Sequence, residues 1–177
     1  ISAALDTEDI NVLQRFEEVL TSIYATKHSP QSAKALSFVM SRRALEMISQ
    51  NLINEKVFFL SLKKALEINP ENEHARGLLK DSQSNLDMMA LEKALSRLKM
   101  NMACKIVNKS DSDVVRRAFF DYFKRNLEDM DSELTSVNEK IFFLNDFYKW
   151  CERVDEDHDI LYEIEEKLEE LEGENFV

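Results

Sequence analysis

Two glycines, two prolines and two cysteines are all that 177 residues contain of these types. Gly and Pro ordinarily make up about 7% and 5% of a globular sequence. A sheet protein of this length needs many tight turns, and tight turns draw on Gly, Pro and Asn-Gly pairs. Their scarcity argues against β structure and leaves long helices with short connections. Gly77 and Gly173 stand alone, so no glycine-rich loop exists to cradle a phosphate or dinucleotide. No apolar run approaches the ~20 residues that span a membrane. No basic-then-apolar leader is visible, and the chain opens on Ile1. It reads as a domain of a longer protein or as a processed chain. Cys104 and Cys151 belong to no CxxC pair and lie in apolar helical stretches. They read as buried thiols in a cytoplasmic or other reducing compartment, with one disulfide between them left open.

Hydrophobic residues make up 44% of the chain, enough for a folded core. The net charge of −11 is unevenly placed. Residues 151–177 carry twelve acids and two bases, whereas residues 28–109 carry thirteen bases and eight acids. The acidic end is either a solvated helix or a contact for a basic surface, its own or a partner's. No nucleic acid is expected, because phosphates need a net positive footprint.

Helical spacing runs along almost the whole chain. Thr7 or Asp6 is placed to cap a first helix with Val12, Phe16, Val19, Leu20 and Ile23 inward. Ser29-Pro30 opens a second to about residue 50, and Asn51 to Asn54 forms a turn. A third helix ends before Pro70, which is placed to open a fourth over roughly 71–83. Gly77 within it suggests close approach of a neighbour. Ser82 to Asn85 reads as the next turn, followed by a fifth helix to about 108 through Leu95, Leu98 and Met102. Residues 109–112 form the clearest break. A sixth helix follows, and Asp131-Ser132 opens a seventh. That helix carries Phe142, Phe143, Phe147 and Trp150 almost all round, which predicts deep burial. An eighth repeats the spacing with Leu161, Ile164, Leu168 and Leu171. Asn54–Leu60 and Asn138–Leu144 match at six of seven positions, and a degenerate duplication or coincidence explains this.

The stretch Lys64–Ala75 reads Lys-Ala-Leu-Glu-Ile-Asn-Pro-Glu-Asn-Glu-His-Ala. Its Asn69-Pro70 joint resembles the junction between tetratricopeptide repeats, helix hairpins of about 34 residues. Leu62 matches a large apolar position of the repeat, Ala65 its late small residue, and Pro70 its closure. Ala75 falls early in the next helix, and Leu45 fits upstream. The pattern departs at Phe58 and Glu46, where small residues are expected. Pro30 lies 40 residues before Pro70, and no later Pro closes another unit. The resemblance covers residues 42–79. It implies a binding scaffold rather than a catalyst.

The expected fold is all-α, with about seven or eight helices in antiparallel hairpins, as a repeat-like solenoid fragment or an irregular bundle. It is read as one domain, with residues 7–109 repeat-like, 110–154 aromatic-rich and 155–177 an acidic helix and tail. The function read from it is non-catalytic protein or peptide binding, without a cofactor, metal or membrane. Basic pairs at Arg42-Arg43, Lys63-Lys64 and Arg116-Arg117 suit an acidic or C-terminal carboxylate peptide, and Arg42, Lys63 and Arg76 are the candidate contacts. Two alternatives stand beside this. The C-terminal seam Leu161, Ile164, Leu168, Leu171 would serve oligomerisation. Glu71-x-x-His74, with Asp155-x-x-His158, has the spacing of di-iron bundles. The methionines Met88, Met89, Met100 and Met102 read as core filler.

Overall fold

The computed structural model describes residues 7–154 and 158–174. Among them run eight α-helices and no strand: α1 (Ile10–Thr26), α2 (Pro30–Ser49), α3 (Glu55–Ile68), α4 (Glu73–Leu95), α5 (Met100–Lys109), α6 (Asp113–Glu133), α7 (Val137–Glu152) and α8 (His158–Glu174). The all-α expectation holds. No described helix is long and apolar enough to cross a membrane.

A helix leaves its first N–H and last C=O groups without intrahelical partners. This chain satisfies many of them with side chains. Asp9, not Thr7, caps α1, its carboxylate accepting from the Asn11 and Val12 amides. The Thr7 hydroxyl accepts from the Asp9 amide one step earlier, and Asp6 lies outside the described residues. Ser29 and Ser32 form a reciprocal capping box ahead of Pro30, as the Ser-Pro pair foretells. Asn54 caps α3. At the other end of α2, the Leu52 amide donates to the Met47 carbonyl and the Asn51 amide to that of Ile48. Asn51 takes φ 55° there, closing a Schellman motif with a residue suited to it.

Contacts divide the chain into two compact units, Ile1–Leu86 and Asp87–Val177. The division falls inside α4, and does not coincide with the boundaries at 109/110 and 154/155 read from the sequence. In the first unit α1 packs on α2 and α2 on α3. The core there is built from Ala44, Phe58, Leu62, Ala65 and Ala75. Three alanines among five residues let the helix axes approach closely. Phe58, out of place in the repeat pattern, fills this core. α1 buries Leu13, whereas Val19 and Ile23, expected inward, are exposed. Its one strong neighbour is α2, so only one stripe of it finds cover.

The α3–α4 joint corrects the expectation for Pro70. Pro70 and Glu71 form a turn, and Asn72 precedes the helix. Asn69 is extended (φ −139°, ψ 96°), as a residue before proline prefers. Asn72 is buried and does three things. Its Oδ1 accepts the Ala75 amide, its carbonyl accepts the Arg76 amide, and its Nδ2 donates to Ser37 Oγ at 2.8 Å. Ser37, fully buried on α2, passes its own hydrogen to the Ala65 carbonyl at 2.7 Å. Three helices thus meet on one satisfied polar relay.

Two further breaks move. Ser82 to Asn85 stay helical, and the chain turns instead at residues 96–99. Asp131-Ser132 continue α6, and the next helix starts after Ser136. The break at 109–112 is where the sequence puts it. The Asn54–Leu60 echo acquires no structural meaning: Asn54 is a cap and Asn138 lies inside a first turn. Phe58 and Leu144 are buried, whereas their counterparts Phe142 and Leu60 are exposed.

The second unit has an aromatic core. α6 supplies Val115, Phe119, Phe120, Phe123, Leu127 and Met130, all buried. Phe119 meets Phe123 edge-on at 4.9 Å, and Phe123 meets Phe147 of α7 at 4.7 Å and 87°. α8 packs on α7 and buries Ile160 and Ile164, with Leu161, Leu168 and Leu171 against the same core. The deeply buried helix is therefore α6. α7, expected in that role, keeps Leu144, Phe147 and Cys151 inside and leaves Phe142 out.

A methyl group at Gly77 would meet nothing within 4 Å, so no neighbouring helix approaches it. Gly77→Ala is expected to stabilise the protein by about 1 kcal/mol. Asn72→Ala, which loses the cap and strips Ser37 of a donor, should cost about 2 kcal/mol. Urea unfolding followed by circular dichroism checks both signs.

Candidate interaction site

The basic residues singled out in the sequence come together only in part. The Arg42 guanidinium pairs with Glu46 at 3.1 Å one turn along α2, and its Nε is buried without a hydrogen-bond partner. Arg43 turns to α1, where its Nε lies 2.7 Å from Glu17. Lys63 is exposed and its Nζ lies over the ring of Phe59 on its own helix, 5.4 Å from the centroid. Arg76 is exposed on α4. Arg42, the half-buried member of the three, already has a carboxylate.

The Arg42 charge also acts on His74. The imidazole sits near Phe38, 5.6 Å between ring centroids, with Nδ1 3.2 Å from Ser41 Oγ. Ser41 has one hydroxyl hydrogen, and its oxygen lies 2.8 Å from the Phe38 carbonyl that accepts it. His74 Nδ1 then carries a hydrogen and donates to Ser41. Burial holds the His74 pKa below the ordinary imidazole value, and the Arg42 charge adds to that. The Glu71-x-x-His74 pair does not assemble: Glu71 is exposed and His74 faces Ser41. Asp155 lies outside the described residues. Among the described residues, no group of three or more His, Cys, Asp or Glu is placed to hold a metal.

The second unit holds a different feature. An open groove of about 600 Å³ runs along α7, walled by Leu98 and Met100 and by Leu134. Its floor is Phe142, Phe143, Phe147 and Trp150, and its polar groups are Asn138, Glu139 and Asp146. The volume lies within the ~300–1,000 Å³ typical of ligand sites. Phe143 lies 4.0 Å from Phe147 between centroids, and Phe147 packs edge-on to Phe123. The floor is thus continuous with the core and held in shape by it. Trp150 is fixed at the far end by Lys149 and Arg153, each 5.2 Å from its ring. Arg153 is itself anchored to Asn101 at 2.7 Å.

One groove wall is made at a conformational cost. α4 ends in a second Schellman motif, with the Lys99 amide donating to Ala94 and the Leu98 amide to Leu95. The left-handed position falls on Leu98, at φ 53°. Glycine is the usual occupant, and an L-residue there costs roughly 1–2 kcal/mol. The leucine gains no burial in return, being 74% exposed. Phe142 opposite it in sequence logic, expected inside, is 71% exposed.

The two cysteines are buried and form no disulfide. Cys104 Sγ lies 3.7 Å from the Trp150 carbonyl, and burial pushes the thiol above its ordinary pKa despite Arg153 nearby. It is an inert core residue. Met88 and Met100 pack against the core, but Met89 and Met102 are exposed, so the core-filler reading holds for half of them. In α8 the apolar face docks and the acids remain outside. Glu165 beside the Tyr148 hydroxyl raises that phenol above its ordinary range. Sequence reasoning missed the groove, because aromatics all round a helix do not say which side lacks a neighbour. Leu98 offered no signal, since nothing in its type marks a left-handed residue.

Comparison with protein-family models, with curated proteins and with solved structures finds no match to this chain.

Two predictions follow from the geometry. The depressed His74 pKa means the unfolded chain takes up its proton first as pH falls. The associated stability is present above the ordinary imidazole value and is lost as pH drops through that value toward the lowered one. His74→Gln should flatten this part of the unfolding free energy between pH 7.5 and 5, measured by urea titration at each pH. Leu98→Gly should stabilise the fold by about 0.5–1 kcal/mol, the relieved strain outweighing the added freedom of the unfolded chain.

Proposed function

We propose that this chain is a non-catalytic protein-interaction module, with the α7 groove as its principal contact surface. The observation that carries this reading is the aromatic floor, ordered by the core yet left open at Phe142. Exposed aromatic area on a rigid support is what binding hot spots are made of. A short stack of helix hairpins is a common support for such a surface.

The tetratricopeptide-like reading of residues 42–79 belongs to the same proposal. It draws support from the succession α2, α3, α4 and from Ala65 and Ala75, both fully buried where small residues let helices approach. Arg42, Lys63 and Arg76 take a secondary place, since Arg42 is paired with Glu46. Two buried cysteines without a disulfide favour a reducing compartment. Self-association through the C-terminal seam is the weaker reading. Ile164 is buried, and Leu161, Leu168 and Leu171 pack within their own unit.

The test is capture by the immobilised chain, followed by purification of each captured protein and measurement of its binding stoichiometry. A partner binding one to one, lost with Phe142→Asp and kept with Arg42→Ala, is the expected result. Partners indifferent to Phe142→Asp, or none binding stoichiometrically, would overturn the proposal.

A further inference from the structure

We infer that the α7 groove receives a basic amphipathic α-helix of a partner protein. This rests on the interaction reading above and names its partner class. Glu139, Phe142, Phe143, Asp146, Phe147 and Trp150 recur at intervals of three and four, so they form one stripe along α7. The stripe is about 16 Å long, at roughly 1.5 Å per residue. An open, mostly apolar groove along that stripe matches about three turns of a helix laid on it.

The charge comes from the same stripe. The charged residues lining the groove are Glu139 and Asp146, both acids. A purely apolar partner would bury these carboxylates without counter-charges, which is costly. A partner with Lys or Arg beside its apolar stripe pairs them instead. Lys149 and Arg153 are engaged with Trp150 at the groove's end, where they bias a bound helix to place its bases toward Glu139 and Asp146.

The surrounding unit reinforces the choice. Asp87–Val177 carries twenty-three acids against thirteen bases, a net of −10, whereas Ile1–Leu86 is at −1. Along α8 the exposed residues include Glu163, Glu165, Glu166, Glu169, Glu170 and Glu172. Such a field steers a cationic partner inward and repels a second copy of this chain at −11.

Trp150 is the chain's only tryptophan and lies in the groove, so its emission reports occupancy. The probes are three designed helical peptides of about sixteen residues. They lack Trp, share one leucine stripe, and carry Lys, Gln or Glu on the polar face. The Lys peptide should change Trp150 emission saturably and bind at least about tenfold more tightly than the Gln peptide at low salt. Glu139→Gln with Asp146→Asn should remove that preference while leaving Gln-peptide binding intact. Phe142→Ser, at an exposed position, should weaken both peptides by about tenfold or more, with an unchanged circular dichroism spectrum.

Equal affinity for all three peptides would overturn the basic-partner inference but leave the interaction reading standing. Phe142-dependent self-association in sedimentation would overturn it in favour of a second copy. Phe142-dependent partition onto phosphatidylcholine vesicles, without peptide binding, would overturn it in favour of a lipid surface. Silence of Trp150 toward every peptide would overturn it as well. If stoichiometric partners were also absent, the interaction reading would fall with it.

Discussion

The governing constraint is how helix ends are closed when no described glycine takes a left-handed conformation. Every helix presents unsatisfied amides and carbonyls at its ends, and burying them bare is costly. Gly77 and Gly173 both lie inside helices. The ends therefore rely on Asp9, Ser29, Asn54 and Asn72 for amides, and on Asn51 and Leu98 for left-handed closures. Several helix boundaries follow from where these few side chains fall, whereas α5, α6 and α7 start without a side-chain cap bond. The Ser37–Asn72 relay is the strongest instance, because one amide both starts α4 and holds α2.

The two units solve packing in different ways. Ile1–Leu86 uses small residues, so backbones approach and Ser37 can reach the Ala65 carbonyl. Asp87–Val177 uses large aromatic side chains, which fix one another through edge-to-face contacts from Phe119 through Phe123 to Phe147, with Phe143 tilted on Phe147. Aromatic cores bring rigidity and also surplus apolar area. With α8 packed on α7, Phe143 and Phe147 are held by ring contacts while Phe142 stays exposed. Aromatic surface held by a core lowers the entropic cost of the binding proposed for it.

Much of the fold was readable beforehand. Scarcity of glycine and proline pointed to helices, Ser29-Pro30 and Asn54 marked ends by their own capping chemistry, and the break at 109–112 fell where expected. Pro70 misled because proline announces only that a helix stops. The start was decided by Asn72, whose amide had a tertiary partner invisible in the sequence. Ser82 to Asn85 misled in the same way: polar, turn-prone residues remain helical between the well-packed Ala75 and Leu91. The groove was less legible still. The aromatics of α7 were evident, but their exposure depends on α8 choosing one side, and the periodicity of α7 alone does not contain that choice. Arg42 was read as a candidate contact for an acidic peptide, and Glu46, seen only as a misfit in a repeat pattern, pairs with it.

Asn51 and Leu98 occupy equivalent backbone positions with opposite suitability, and this gives them opposite mutational tolerance. At Asn51 the resident is already among the best side chains for left-handed backbone, so nearly every replacement adds strain. At Leu98 glycine, asparagine or aspartate relieves it. A library selected for folding alone would keep position 51 and replace the leucine at 98. If the groove binds as proposed, selection for that binding would reverse the pressure at 98, making that single leucine the place where the two demands on the chain can be told apart.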